Sequence, residues 1–332
     1  MSSGDAGRVL VTGATGFIGS HLVEALLKEG FEVGCLVRDP GRLGWIRDLG
    51  VSLLEGDCCR PETLAGAVRG VSAVFHVAGL TKARSTKEYY LVNHVGTRNI
   101  VEACARHNRD IGKFVLVSSL AAEGPSPDGM PEGGTREPRP VSDYGMSTLL
   151  AEREVMRFRG LFPVVVVRPS AVYGPRDRDM YELFRWASRG IMIEMTGPER
   201  FITPCYIDDL VSMLMGVMRE GVPSGSVYCA AEGRAYSWAE FRRCLLDAGK
   251  VSARTLRVPY GIAYLIGILS ELRAWLTGTA ALTNRQKIRE AAQRYWLCDV
   301  SKAERELGFR VEYPLMRGLQ RTWEWYRAQG WV

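Results

Sequence analysis

The first half of the chain alternates short, nearly continuous apolar runs with amphipathic helical patterns. Apolar runs rich in valine and leucine, each followed by a helical pattern, indicate a parallel sheet that is covered by helices on both faces. The sequence therefore predicts a doubly wound α/β (Rossmann) fold, in which ligands bind at the carboxyl ends of the strands. The predicted strands occupy residues 8–13, 31–37, 51–57, 72–79, 113–119 and 162–170.

The strict alternation stops near residue 175, and the pattern of the second half is different. One further strand, at 225–231, is predicted to return to the sheet, while the other segments predict a smaller, mostly helical C-terminal lobe. At 332 residues the chain is longer than one compact core usually holds, so two lobes are expected. The expected division is a dinucleotide-binding domain over 1–174 together with 225–231, and a substrate-binding lobe over 175–224 and 232–332.

Two segments fall outside the regular pattern. The stretch 123–140 is rich in proline and glycine and follows the fifth predicted strand, so we expect a flap that faces the substrate. The apolar stretch 260–276 soon meets Glu271 and Arg273, and its uninterrupted part is too short to cross a bilayer. A buried or pocket-lining helix is the expectation there, and shallow membrane contact is the alternative.

Composition narrows the class of protein. The chain is 46% hydrophobic and 24% charged, as soluble globular proteins are, and its net charge of +6 is modest, which favours small-molecule ligands over nucleic acid. The eight cysteines include no Cys-x-x-Cys pair, which predicts reduced thiols in a cytoplasmic protein. The four histidines lack the spacing of metal ligands, and the N-terminus lacks the apolar core of a signal peptide. We expect no metal site.

The stretch "TGATGFIGSHL" lies between the first predicted strand and the first helix. Its glycines permit a tight turn, close approach of the backbone to a pyrophosphate, and close packing of helix on strand, while the helix N-terminus faces the anion. In this context the sequence predicts dinucleotide binding. The predicted contacts in this stretch are Gly13, Thr15, Gly16, Phe17, Ile18 and Gly19.

The choice of cofactor is expected at the end of the second strand, where NAD enzymes present an acid to the ribose. Here that position is Val37, and Arg38 follows it. A guanidinium can bind a 2′-phosphate that a carboxylate would repel, which favours NADP over NAD. Asp39 leaves NAD open, because a shift of one residue would make it the acid.

The ends of the next two strands add further candidates. Asp57 ends the third strand, where it could accept a hydrogen bond from the adenine amino group, and Cys58 adjoins it. Ala78 and Gly79 end the fourth strand and are expected against the cofactor. Each feature alone could be simple strand termination, and it is their order along the chain that indicates a cofactor site.

Taken together, these motifs resemble the extended short-chain dehydrogenases/reductases, the NAD(P)-dependent epimerase/dehydratase family. "YLVNHVGTRNIVEAC" resembles the family's fourth helix, "VLVSSLAAEG" its serine segment, "VVRPSAVYGPRD" the segment that packs on the nicotinamide, and "YIDDLV" a segment that borders the substrate. "LVRDP" and the stretch 281–309 are most similar to the hydroxysteroid-dehydrogenase and dihydroflavonol-reductase-like branch.

The resemblance implies roles for particular residues. Tyr144 would give or take the proton of the substrate hydroxyl, and Ser119 would orient the oxygen. The further cofactor contacts that it implies are Asn93, Ser118, Pro169 and Val172, besides Tyr144 itself. By the same resemblance, the helices near 87–107 and 144–159 predict a homodimer.

The sequence departs from the family at the position four residues after Tyr144, where Thr148 replaces the expected lysine. In the family that lysine binds the nicotinamide ribose and lowers the pKa of the tyrosine. A free phenol titrates near about 10, and lowering this by about three units corresponds to roughly 4 kcal/mol. Thr148 can hydrogen-bond a ribose but carries no charge. Activity on the order of 10²–10³-fold below a lysine-bearing relative is therefore expected.

Three functions remain open at this stage. The leading one is an oxidoreductase that acts on a secondary alcohol or its ketone, with a bulky apolar substrate suggested by the aromatic and aliphatic second lobe. The second is a nucleotide-sugar epimerase or dehydratase, with Arg176 and Arg178 facing a diphosphate. The third is a cofactor-binding sensor or partner protein that is catalytically weak because of Thr148.

Overall fold

The computed structural model describes residues 7–131, 133–134, 136–277 and 284–332, and for 274–277 the backbone alone. The strands are β1 (Arg8–Thr12), β2 (Glu32–Val37), β3 (Ser52–Glu55), β4 (Ala73–His76), β5 (Lys113–Val117), β6 (Val164–Pro169), β7 (Ala171–Tyr173), β8 (Ile191–Met195), β9 (Phe201–Ile202), β10 (Pro204–Tyr206), β11 (Ser226–Ala230), β12 (Tyr236–Ser237), β13 (Arg254–Val258) and β14 (Tyr295–Trp296).

The helices alternate with the strands through the first half of the chain and fill most of the second. They are α1 (Phe17–Lys28), α2 (Ala65–Val68), α3 (Thr86–Tyr89), α4 (Gly96–His107), α5 (Leu120–Glu123), α6 (Asp143–Met156), α7 (Tyr181–Ser188), α8 (Ile207–Gly216), α9 (Trp238–Gly249), α10 (Tyr260–Thr277), α11 (Arg285–Ala292), α12 (Ser301–Leu307) and α13 (Leu315–Ala328). A π-helical segment, Tyr90–Val95, joins α3 to α4.

The central sheet has seven parallel strands in the order β3-β2-β1-β4-β5-β6-β11. The chain reverses direction across the sheet between β1 and β4, as the doubly wound prediction requires. The side chains of consecutive β1 residues pack in different hydrophobic clusters, with Val9 and Val11 on one face of the sheet and Leu10 on the other. This is why the strands read as continuous apolar runs rather than alternating ones. The α/β prediction is confirmed.

Gly30 lies just past the end of α1. It has a φ of +84°, and the amides of Gly30 and Phe31 donate to the carbonyls of Leu27 and Leu26. These bonds satisfy carbonyls that the helix end would otherwise leave unpaired, and a left-handed residue at this place is usually glycine.

The second lobe consists mostly of helices, as predicted, and adds short strands that the sequence did not predict. It contains the small sheets β10-β7, β12-β9-β14 and β13-β8. Most of these strands have only two or three residues and pair with partners far away along the chain. Such short strands show no alternation of apolar and polar residues from which they could be predicted. The lobe's core is aromatic, with Phe184, Phe241, Trp323 and Tyr326 fully buried.

The loop 123–140 lies against the second lobe. The Ser126 amide donates to the Tyr295 carbonyl, and Gly129 packs on the Tyr295 ring. The Arg139 amide donates to the Glu123 carbonyl and so closes the base of the loop. Its proposed role as a flap that faces the substrate stays a prediction.

Of the two expectations for 260–276, a buried helix is wrong, whereas a pocket-lining helix agrees with Glu271 of α10, which lines a cavity. Ile262, Leu265 and Leu269 are each more than half exposed, while Gly267 packs against Ile288 of α11. Across the described parts of the chain, we find no helix with the length and apolar character needed to cross a bilayer.

Candidate active site

The glycine-rich loop connects β1 to α1 at the carboxyl edge of the sheet. Gly13 has a φ of +69°, and a Cβ there would lie 2.7 Å from the backbone nitrogen of Ala78. A Cβ on Gly19 would collide with the Gly13 carbonyl. Both positions therefore require glycine. Thr15, Gly16, Phe17 and Ile18 belong to the same turn, and α1 begins at Phe17 without an acidic residue in its first turn, as an anion site requires.

Arg38 directly follows β2 and lies close to the turn after β3. Its charge acts on the thiols of Cys58 and Cys59, although burial dominates and raises the pKa of Cys58 to about 12. The Asp57 carboxylate accepts a hydrogen bond from the Cys59 amide at 2.8 Å. Arg38, Asp57 and Cys58 therefore meet at one corner of the sheet, as predicted for the adenine and ribose end.

Asp39, the acid that kept NAD binding possible in the sequence analysis, makes its contacts within its own turn. One carboxylate oxygen accepts from the Gly41 amide at 2.9 Å, and the other lies 3.3 Å from Nε of Arg42. This arrangement supports Arg38 as the residue that faces the ribose.

The end of β4 is tied to α6 through Asn93. The side-chain Oδ1 of Asn93 accepts from the Leu80 amide at 2.8 Å, and its Nδ2 donates to the Leu80 carbonyl and to Ser147 Oγ, both at 3.1 Å. The side chain is buried. Asn93 thus positions the loop that carries Ala78 and Gly79, and its own contact with a cofactor stays a prediction.

Ser118 belongs to a buried ionic cluster behind the site, which we call the Arg168 cluster: Ser118, Glu123, Glu152 and Arg168. Ser118 Oγ donates to Glu152 at 2.5 Å, and Arg168 donates to both carboxylate oxygens of Glu152 at 2.8 and 2.7 Å. Arg168 also donates to Glu123 at 3.1 Å. The cluster joins β5, α5, α6 and β6, so it fixes Ser119 and Tyr144 relative to the sheet.

Tyr144 lies in the first turn of α6. Ser142 caps this helix by accepting a hydrogen bond from the Gly145 amide at 3.0 Å. The Ser119 side chain lies close enough to the Tyr144 phenol to lower its pKa, and the Tyr144 ring centroid lies 6.1 Å from that of Tyr89. The structure therefore brings together the two residues that the sequence proposed for proton transfer. Pro169 ends β6 and Val172 lies in β7, at the same edge of the sheet.

Thr148 lies one turn after Tyr144 and is buried. Its hydroxyl donates back to the Tyr144 carbonyl at 2.9 Å, a bond that leaves its oxygen free to accept but not to donate. The threonine thus adds no charge to the site.

A lysine that the sequence reasoning missed does lie beside the phenol. Lys287, from α11 in the second lobe, places Nζ 5.4 Å from the centroid of the Tyr144 ring. Desolvation raises the pKa of Tyr144, and the Ser119 side chain and the Lys287 charge oppose that rise. Because Lys287 is remote from Tyr144 along the chain, no local spacing pointed to it.

A cavity of about 590 Å³ adjoins these residues. It lies between the N-termini of α6 and α11 and is lined by Tyr89, Ser142, Asp143, Asn284 and Arg289, among others. Within the described ranges, His, Cys, Asp and Glu side chains form no group suited to a metal ion.

Comparison with known proteins agrees with this geometry. Residues 9–230 match the model of the NAD dependent epimerase/dehydratase family. The chain therefore belongs to that family. The ceramide reductase of Caulobacter vibrioides is 32% identical over 100% of this chain and 98% of that protein, and human 3 beta-hydroxysteroid dehydrogenase type 7 is 28% identical over 96% and 95%.

The fold extends to solved structures of the epimerase/dehydratase family. MoeE5 in complex with UDP-glucuronic acid and NAD superposes with a TM-score of 0.78 at 27% identity, over 97% of this chain and 100% of that one. The protein is thus an NAD(P)-dependent oxidoreductase of this family. The glycine turn, in which a Cβ would fill the space at Gly13, fits the cofactor that the family uses.

Proposed function

We propose that the protein interconverts a secondary alcohol and its ketone, prefers NADP(H) and uses Tyr144 as the acid and base. The observation that supports this most directly is the Tyr144 phenol beside Ser119, whose side chain lowers the pKa of that phenol, at the sheet edge that also carries the glycine turn. An acid–base group must lie within hydrogen-bond reach of the oxygen that it serves, and the pair defines one such position.

The residues that would hold the cofactor follow the edge of the sheet. The turn from Gly13 to Gly19 would bind the pyrophosphate, Arg38 the 2′-phosphate and Asp57 the adenine, while Ala78 and Pro169 would border the nicotinamide. When bound, the cofactor supplies or accepts the hydride.

The protein's own part in the reaction is proton transfer. In alcohol oxidation the hydroxyl proton of the substrate passes to the Tyr144 phenolate as the C–O bond becomes a carbonyl. In ketone reduction the phenol returns this proton to the oxygen. Ser119 holds the substrate oxygen in place by hydrogen bonding. The Arg168 cluster fixes the positions of Ser119 and Tyr144 relative to each other.

A bulky apolar substrate fits the second lobe. The exposed apolar side chains of α10, such as Leu265 and Leu269, lie on the helix that packs against α11 beside the cavity. Relatives named for a ceramide and for a steroid agree with this class. We infer a lipid-like ketone or secondary alcohol.

A nucleotide-sugar substrate is the alternative, and the likeness to MoeE5 favours it. The two arginines proposed for a diphosphate have other partners here, however. Arg176 pairs with Glu24 at 2.6 Å and lies over the Trp45 ring, and Arg178 lies over the Trp331 ring. These contacts weigh against a diphosphate site, so we rank the alternative second.

The test is turnover by the purified protein with NADPH and a panel of ketosteroids, long-chain 3-oxo lipids and UDP-sugars. We expect net NADPH consumption with an apolar ketone and a loss of about 10²–10⁴-fold in Tyr144→Phe, because the proton donor is removed. Tyr228→Phe, which deletes a remote phenol bonded to Glu306, is the matched control and should keep its activity.

Two results would replace the proposal. Conversion of a UDP-sugar without net consumption of the cofactor would identify an epimerase or dehydratase. Stoichiometric cofactor binding without turnover of any substrate would identify a sensor or partner protein.

A further inference from the structure

We propose that Lys287 supplies, from the second lobe, the positive charge that stabilises the Tyr144 phenolate, in place of a lysine at position 148. The inference rests on the proposed function, in which Tyr144 acts as the base. Lys287 is thus a positioning residue that acts through Tyr144. Its Nζ lies 5.4 Å from the centroid of the phenol ring, within the range in which a cation interacts with an aromatic ring.

Helix α11 is fixed against α6 by several hydrogen bonds, so this contact is built into the fold. Gln286 accepts from the Asp143 amide and donates to the Asp143 carboxylate, both at 2.7 Å. Ser142 Oγ donates to Glu290 at 2.5 Å. These bonds join the two residues just before Tyr144, at the start of α6, to the helix that carries Lys287.

The start of α11 is held from the other side as well. Asn284 caps the helix by accepting from the Lys287 amide at 2.8 Å, and its side chain lies near enough to the Tyr89 phenol to lower its pKa. Tyr89 in turn packs on Tyr144. The Lys287 backbone is therefore held by the same residues that enclose the phenol.

Several charged groups surround Lys287 and Tyr144, and among them Lys287 is the cation that faces the phenol. Glu290 Oε2 lies 3.5 Å from Lys287 Nζ, and Asp179 acts on both Lys287 and Tyr144. Lys82, at 2.5 Å from Asp179, offsets that carboxylate. Burial works against the charged lysine, but the nearby acidic groups outweigh it and raise the pKa of Lys287. Lys287 therefore stays protonated at neutral pH.

The charge has a definite consequence for the chemistry. An opposite charge within about 4–6 Å favours the ionised form of a titrating group. Lys287 keeps its proton throughout, while the substrate hydroxyl proton passes to the Tyr144 oxygen. What Lys287 changes is the fraction of Tyr144 that is phenolate at a given pH.

The decisive measurement is the titration of the Tyr144 phenol, followed by tyrosine ζ-carbon NMR from about pH 6 to 11 and assigned with Tyr144→Phe. We expect Tyr144 to titrate at higher pH in Lys287→Met and Lys287→Gln, and at an unchanged pH in Lys287→Arg. Lys302→Met is the matched control, since Lys302 lies 4.8 Å above the remote Tyr228 ring.

The activity test uses oxidation of an alcohol substrate of the protein. Lys287→Met should lower kcat/KM about tenfold or more at neutral pH, with recovery at alkaline pH, because less of the base is ionised. Adding Thr148→Lys to Lys287→Met should restore most of the loss, whereas a purely structural or substrate-binding role of Lys287 predicts no such rescue.

The outcomes separate this inference from the proposed function. If the parent oxidises no alcohol, the proposed function fails and the titration still decides the role of Lys287. If the Tyr144 signal follows the same curve with and without the lysine charge in either folded variant, including no titration in both, the inference is overturned.

Discussion

Arg38 is the residue that we propose to decide the choice between the two cofactors. It follows the last residue of β2 and lies near Asp57 and Cys58, while Asp39 is occupied with Gly41 and Arg42. A guanidinium at this corner can bind a phosphate through two parallel hydrogen bonds, which a ribose hydroxyl does not offer. The NADP preference that we propose therefore depends on one side chain.

We predict that Arg38→Ala weakens NADP binding by about 1.5–3 kcal/mol and leaves NAD binding nearly unchanged, because a charge-assisted contact is lost with one cofactor alone. Calorimetric titration of both cofactors measures this. Arg42→Ala, which removes an exposed arginine from the same loop, is the control. Equal or tighter binding of NAD by the parent protein would contradict the prediction.

Helix α6 carries Tyr144 at one end and is fixed to the sheet by the Arg168 cluster in its middle. The cluster is buried, and its members are hydrogen-bonded to one another at 2.5–3.1 Å. Charges in such a place are tolerated only while they are paired. Removing the arginine would leave two carboxylates together without their cation.

Arg168→Met should accordingly lower the free energy of unfolding by about 3–5 kcal/mol, as expected when one partner of a buried ionic group is deleted. Urea unfolding followed by circular dichroism measures the change. Arg153→Met, at an exposed position of the same helix, should stay within about 0.5 kcal/mol of the parent. A comparably small effect of Arg168→Met would show that the cluster does not stabilise α6.

At the scale of the whole molecule, the helices α4 and α6 form one face of the first lobe. His94 before α4 and Glu154 in α6 meet at 3.1 Å, and Leu91 in the same helical segment is 49% exposed. The exposed Leu91 on this face agrees with the homodimer that the family resemblance implies.

We predict a dimer at micromolar concentration by light scattering, and a shift towards monomer in Leu91→Asp, since a charge would be buried at the interface. Leu256→Asp changes a leucine of similar exposure, 51%, in the second lobe and should not affect the assembly. A monomeric parent would count against the prediction, and a dimer unaffected by Leu91→Asp would place the interface elsewhere.

What the sequence determined by itself was the first lobe and the order of its motifs. Buried parallel strands read as apolar runs, and glycines are required wherever the backbone approaches itself closely, as Gly13 approaches Ala78. Ser119 and Tyr144 could be proposed because the segments that carry them resemble the corresponding segments of the family. The burial of strands and the need for glycine are local constraints, and local constraints leave a trace in spacing.

The tertiary structure alone decided the small sheets of the second lobe, the exposure of α10 and the position of Lys287. Short strands such as β9 and β14 exist only because their partners lie beside them, and no alternation of apolar and polar residues in the sequence predicts them. From the sequence, Thr148 indicated that the site had lost a positive charge, because helical spacing identifies only neighbours on the same helix. The charge beside Tyr144 comes instead from α11, and only the docking of one lobe on the other brings the two side chains together.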